Sequence, residues 1–272
     1  MTTLADAAAA VEQLWPLAGA ESWDAPGLLV GDPGAAVSRI LLAVDAVADT
    51  VDEAIELGTE LLLVHHPLLM RGVTTVAETT AKGALVARLI RGRCALIAAH
   101  TNADIVETGT SARLASLLGL QDARPIVETA PGMGLGLGRV GSLPEPTTLG
   151  ALARRLAGIL PATATGVRVA GAFDRRVQSI AVCGGAGDSL LGEPAVRSAD
   201  VYITADLRHH PASEAVETAR VAGGPALIDV SHWASEWLWL DTAAAELRAA
   251  LPGVEVLVSE LRTDPWDFVV VQ

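Results

Sequence analysis

Several protein classes are excluded by what this chain has little of. Its only two cysteines, Cys94 and Cys183, sit in separate apolar runs and form no CxxC spacing. That excludes a thiolate zinc module and points to buried free thiols, not a disulfide. No stretch approaches the roughly 20 uninterrupted apolar residues of a membrane span, so no membrane partner is expected. The opening MTTLADAAAAVEQLWPL carries Asp6 and Glu12 and no basic region, unlike a signal or transit peptide. A cytoplasmic location is the resulting expectation. Basic residues are also scarce, 19 Lys and Arg against 32 Asp and Glu, giving a net charge of −13 that repels phosphate backbones. Nucleic acid is therefore disfavoured as a partner, and Arg88, Arg91 and Arg93 read as a solvated helix face.

What the chain does have is apolar content of 51%, ample for a sizeable core in 272 residues, and six histidines gathered in four short motifs. His65 and His66 stand in LVHHPLL, His100 in AAHTNAD, His209 and His210 in ITADLRHHPA, and His232 in DVSHWASE. Asp104, Asp206 and Glu236 accompany the last three motifs. Imidazoles and carboxylates grouped after apolar runs are the donors of a site for a divalent metal. If His65 and His66 leave a strand in succession, their rings face opposite sides and suit two neighbouring ions. His232 and Glu236, four residues apart, share one face of a helix, a spacing that a surface pair would also show.

Apolar periodicity predicts an opening helix over 4–18, strands at 39–45, 60–66 and 94–100, and intervening helices at 48–58 and 81–91. This β-α-β-α-β order is that of a largely parallel sheet with helices on both faces. The Gly- and Pro-rich stretch 128–146 interrupts it and reads as a lobe boundary. Beyond it, a helix is predicted at 147–158, strands at 177–183 and 199–204, a helix near 211–222, and strands at 225–230 and 254–258. The expected architecture is α/β: two similar lobes with mixed, largely parallel sheets, residues 1–127 with 225–272 forming the metal-binding lobe and 128–224 the second. The motifs fall at the carboxyl ends of strands, where open α/β sheets bind ligands. The CGGAGDS turn at 183–189 suits either close packing or an anion, and the LGLG run fits no dinucleotide fingerprint.

Taken in order, these motifs resemble the GTP cyclohydrolase I type 2 homologue family, also called Nif-three-like proteins. The likeness begins at WDAPGLLVG (Trp23, Asp24, Gly27, Leu28, Val30 and Gly31), with Ala25 where Asn is common. It continues through HHPLL, HTNAD, the GGAG turn, ITADLRHHPA and SHWASE, where Met70, Ser231 and Trp233 are mild departures. The resemblance implies two divalent ions per chain (zinc, iron, manganese, cobalt or nickel) on His65, His66, Asp104, His232 and Glu236. It implies that Glu236 bridges them, with His66 and Asp104 mainly on one ion and His65 and His232 mainly on the other. His100, Asp206, His209 and His210 are implied to lie near the site, with His100 the candidate catalytic residue for proton transfer. It further implies the short two-lobed form and a homohexamer built as a trimer of dimers.

Two ions would supply a hydrolase with an activated water, and the family name points to a small-molecule substrate, a nucleotide such as GTP. The same ligands serve metal storage, delivery or sensing equally well. A regulatory scaffold is the third reading, least in keeping with the acidic charge.

Overall fold

The computed structural model describes residues 1–130 and 132–271; Pro131, inside the Gly- and Pro-rich stretch, lies outside them. Helix α1 (Leu4–Leu14) is followed by strands β1 (Gly27–Val30) and β2 (Arg39–Ala43), helix α2 (Ala48–Glu56), β3 (Leu61–Val64), α3 (Ala81–Arg91) and β4 (Ala95–Ala98). Next come α4 (Thr101–Asp104), α5 (Thr110–Leu117), β5 (Gln121–Arg124), β6 (Val127–Ala130), β7 (Leu135–Leu137) and β8 (Arg139–Thr148). Helix α6 (Leu149–Ile159) leads to β9 (Arg168–Ala170), β10 (Arg176–Ala186), α7 (Pro194–Arg197), β11 (Val201–Ala205) and α8 (His209–Ala222). Strand β12 (Ala226–Val230), helices α9 (His232–Trp237) and α10 (Leu240–Ala250), and β13 (Glu255–Val258) complete the order.

Two compact units result: Met1–Ala103 with Leu240–Thr263, and Asp104–Trp239 with the residues from Asp264 on. In the first, the sheet order is β1-β4-β3-β2-β13. All neighbours are parallel except β1 on β4. The central strands read ILLA and LLLV and are buried throughout, because helices cover both faces of such a sheet. Leu41, Val51, Leu62, Val64, Leu89 and Leu96 form its core. Helix α1 starts on a capping box, Thr3 Oγ1 accepting from Asp6 N while Asp6 accepts from Thr3 N at 2.8 Å. It ends earlier than position 18, since the residue before Pro16 cannot stay helical; a 3-10 turn over Leu17–Gly19 follows.

The second unit's sheet runs β5-β8-β10-β11-β12-β9. It too is mixed: β10, β11 and β12 are parallel neighbours, while β5, β8 and β9 join antiparallel. The stretch 128–146 is not a boundary between lobes. It supplies β6, β7 and most of β8, and β8 pairs with β10 at the heart of this sheet. Its composition has a local cause: the register slips between Ser142 and Thr147, and Pro144 and Pro146 occupy that irregularity, where a residue without N–H costs no ladder bond. The unit limits likewise differ from 127/128 and 224/225. Strand β5 pairs with β8 and β12 lies between β11 and β9, whereas α10 and β13 return to the first unit through pairing with β2. Leu152, Leu156, Ile180, Ile203 and Ile228 are buried in its core.

In both units the histidine motifs follow parallel strands. His65 and His66 come after β3, His100 after β4, Asp206 after β11 and His232 after β12.

Candidate metal centre

In the first unit, three imidazoles come together. One ring nitrogen from each of His65, His66 and His100 lies within 4.8 Å of the others. Ring centroids are 5.1 Å apart for His65 with either neighbour and 5.3 Å for His66 with His100. The rings of His65 and His66 therefore do not diverge as strand alternation implies. The reason is local: β3 ends at Val64, and both residues sit in the bend beyond it.

Each ring is oriented from behind. His65 Nδ1 meets Ala99 O at 2.8 Å, His66 Nδ1 meets Asp45 Oδ1 at 2.7 Å, and His100 Nδ1 meets Asp24 Oδ1 at 2.9 Å. A proton on Nδ1 leaves the lone pair on Nε2, which is the nitrogen a metal or a transferable proton uses. The HTNAD motif is built around this. Asn102 Oδ1 accepts from His100 N and its amide donates to Trp15 O, while Thr101 donates to Asp24 from both N and Oγ1. Burial alone would raise the Asp24 carboxyl, but the bonds from Thr101 and His100 outweigh it and hold it below the usual range.

In the second unit, α9 carries SHWASE. Ser231 is its N-cap, accepting from Ala234 N at 3.2 Å. The i,i+4 spacing puts His232 Nε2 3.0 Å from Glu236 Oε1, and Glu236 is only 3% exposed. His232 Nδ1 meets Asp206 Oδ2 at 2.7 Å. Asp206 holds a left-handed backbone (φ 57°), which Asp tolerates better than most residues and which aims its carboxylate at the ring. Burial would lower the His232 pKa, yet the Glu236 and Asp206 carboxylates override it and push it up to about 11. Asp104 accepts from Thr110 Oγ1, and together with Glu236 it raises the Cys183 thiol, which burial chiefly pushes up to about 12. Cys183 thus stays a thiol at neutral pH.

In the CGGAG turn two backbone N–H groups are taken up by packing contacts. Gly184 N donates to Ser111 Oγ at 3.1 Å and Gly185 N to Ser235 Oγ at 2.9 Å. Of the remaining sequence candidates, Asp206 supports His232, but His209 and His210 open α8 as exposed rings 5.2 Å apart. Neither joins a metal-capable group among the described residues. The sequence reading missed Asp45 and the role of Asp24, although Asp24 lies within WDAPGLLVG and Asp45 ends RILLAVD. A carboxylate immediately beyond a buried strand, as in RILLAVD, was the available signal for Asp45.

Fold and site residues define a class: a mixed α/β protein whose parallel strands deliver imidazoles and carboxylates, with His65, His66, His100 and His232 each oriented through Nδ1. The model of the Duf34/NIF3 (NGG1p interacting factor 3) family matches residues 2–265, and the chain belongs to that family. A Streptomyces coelicolor protein named GTP cyclohydrolase 1 type 2 homolog is 48% identical, the match covering 98% of this chain and 94% of that one. A Mycobacterium tuberculosis protein of the same name is 36% identical over 97% of this chain and 96% of its own length. Among solved structures, a Bacillus cereus protein related to NIF3 shares the fold with a TM-score of 0.89 at 23% identity, covering 98% of this chain and 99% of that one. Staphylococcus aureus protein SA1388 superposes with a TM-score of 0.87 at 26% identity and the same coverage.

No helix among the described residues is long and apolar enough to cross a membrane.

Proposed function

We propose that this protein is a metal-dependent hydrolase holding two divalent ions per chain on His65, His66, Asp104, His232 and Glu236, with a nucleotide as substrate. The observation that carries this reading is the commitment of Nδ1 in His65, His66 and His232 to a carbonyl or carboxylate, leaving Nε2 of each as the donor nitrogen. Three imidazoles and two carboxylates satisfy zinc, iron, manganese, cobalt or nickel and leave coordination positions for water. When bound, such ions lower the pKa of water toward neutrality and stabilise negative charge on a substrate oxygen. Glu236 has two oxygens to offer two ions, Asp104 is steadied by Thr110, and His100, held by Asp24, moves the proton. The nucleotide comes from the relatives' name, GTP cyclohydrolase 1 type 2 homolog. We further propose assembly as a hexamer, a trimer of dimers, which light scattering on dilute protein tests; a monomer at every concentration overturns it.

The decisive experiment is elemental analysis of protein purified without added metal, followed by turnover assays on a panel of nucleotides and phosphoesters. Two ions per chain are expected, both reduced in Glu236→Ala and one spared in His232→Ala. A single ion that survives Glu236→Ala defeats the bridging assignment. Metal-loaded protein that turns over nothing, while passing its metal to an acceptor, is a carrier and not a hydrolase.

A further inference from the structure

Thr263 and Asp264 are neighbours in the chain, yet the first belongs to one unit and the second to the other. Each touches the support of a proposed ligand in its own unit. Thr263 Oγ1 donates to Asp45 Oδ2, and the other oxygen of the same carboxylate meets His66 Nδ1 at 2.7 Å. Asp264, 8% exposed, accepts from Ser231 Oγ through one oxygen and from Trp266 N at 3.1 Å through the other. Ser231 is the N-cap of α9, the helix of His232 and Glu236.

Both contacts have a directional consequence. A carboxylate free to rotate about its Cβ–Cγ bond would let the His66 ring turn with it, and the bond from Thr263 fixes that torsion. A serine hydroxyl has one proton; giving it to Asp264 turns the oxygen lone pairs toward Ala234 N, as an N-cap requires. Helix α9 has six residues, so one cap bond is a large part of what holds its first turn. The Thr263 hydroxyl is not needed to fill space, since a valine would occupy the same volume.

We infer that Thr263 and Asp264 are a pair of positioning residues, one orienting His66 through Asp45 and the other orienting His232 and Glu236 through Ser231. This rests on the metal-binding reading above. Because the two residues are consecutive, a single stretch of backbone steadies ligands of both units.

The test uses the full chain and Zn²⁺ alone, its affinity measured by competition with a chelator. Thr263→Val and Asp264→Ala should each weaken Zn²⁺ about 10- to 100-fold. Thr263→Ser, which restores the hydroxyl, should recover wild-type affinity, and Asp264→Asn, which keeps an acceptor oxygen, most of it. In chelator-stripped protein, imidazole ¹⁵N spectra give a second readout: Thr263→Val should move the His66 signals, and Asp264→Ala those of His232. Ring signals unmoved in Thr263→Val, or Thr263→Ser as weak as Thr263→Val, overturns the inference. If Asp264→Ala does not fold, the Thr263 pair still decides it. A wild-type protein that binds no Zn²⁺ defeats the metal reading instead, and the ring spectra then judge the orienting contacts separately.

Discussion

Gly185 and Glu236 compete for one space: a Cβ built on Gly185 would lie 2.2 Å from Glu236 Oε1 and 3.1 Å from His232 Nε2. The backbone of the CGGAG turn therefore forms the wall against which the carboxylate and imidazole rest. Gly185 also has φ +67°, a left-handed conformation that costs a residue with a side chain about 1 to 2 kcal/mol. Gly185→Ala is expected to lower stability by about that much and to displace Glu236, so metal content should fall with it. Chemical denaturation and elemental analysis measure the two effects. Full metal content in a folded variant would mean that the carboxylate does not need this wall.

Glu60 gives a pH dependence remote from the candidate centre. Its carboxylate accepts from Ser38 N at 3.0 Å, Arg39 N at 2.9 Å and Ser38 Oγ, fastening the entry of β2 to that of β3. Burial acts to raise its pKa, but these donors prevail and hold it below the ordinary glutamate value. A depressed folded pKa contributes stability that is present above the unfolded value of about 4.3 and is lost as pH falls through the folded value. Glu60→Gln should thus be less stable than wild type by about 1 kcal/mol near neutrality, with the gap closing toward about pH 3. Urea unfolding at the two pH values checks this; a gap that widens in acid contradicts it.

Both cysteines should resist alkylation in the native protein. Each is buried and free, and burial raises both thiols, Cys183 to about 12 with the Asp104 and Glu236 carboxylates adding to it. The thiolate is the reactive form, so iodoacetamide at about pH 8 should label neither until the chain is unfolded. Mass spectrometry after a timed exposure reads this directly. Rapid native labelling at Cys183 would show that the second unit opens near Asp104.

How much of this was legible in the sequence divides along contact range. The placing of the histidine motifs was, because HHPLL, HTNAD and SHWASE are contiguous and follow buried strands whose apolar runs are unmistakable. The supports were not: Asp45 lies 21 residues from His66 and 218 from Thr263, and Asp264 lies 33 from Ser231. No local pattern marks such partners; only the sheet order brings them together. Composition misled where one residue type serves two purposes. Pro144 and Pro146, in a stretch that read as a lobe boundary, sit in the irregular part of a strand, and β12 read as returning to the first lobe although its partners are β11 and β9.

The last prediction separates ligation from chemistry at His100. The structure groups His100 with His65 and His66 within 4.8 Å, so it stands close enough to ligate, whereas the proposed role is proton transfer. Asp24 supplies the means to distinguish them. Its side chain is fully buried, its Oδ1 meets His100 Nδ1, and Thr101 anchors the other oxygen. Asp24→Asn keeps the shape but removes the charge that steadies an imidazolium after it has accepted a proton. If His100 moves protons, Asp24→Asn and His100→Ala should both lose turnover, by about 10²-fold or more for His100→Ala, while two ions per chain remain. Asp24→Asn should also displace the pH–rate profile, because the imidazole it faces becomes less basic. Should His100→Ala shed an ion, His100 is a ligand, and the proton must be carried by another group.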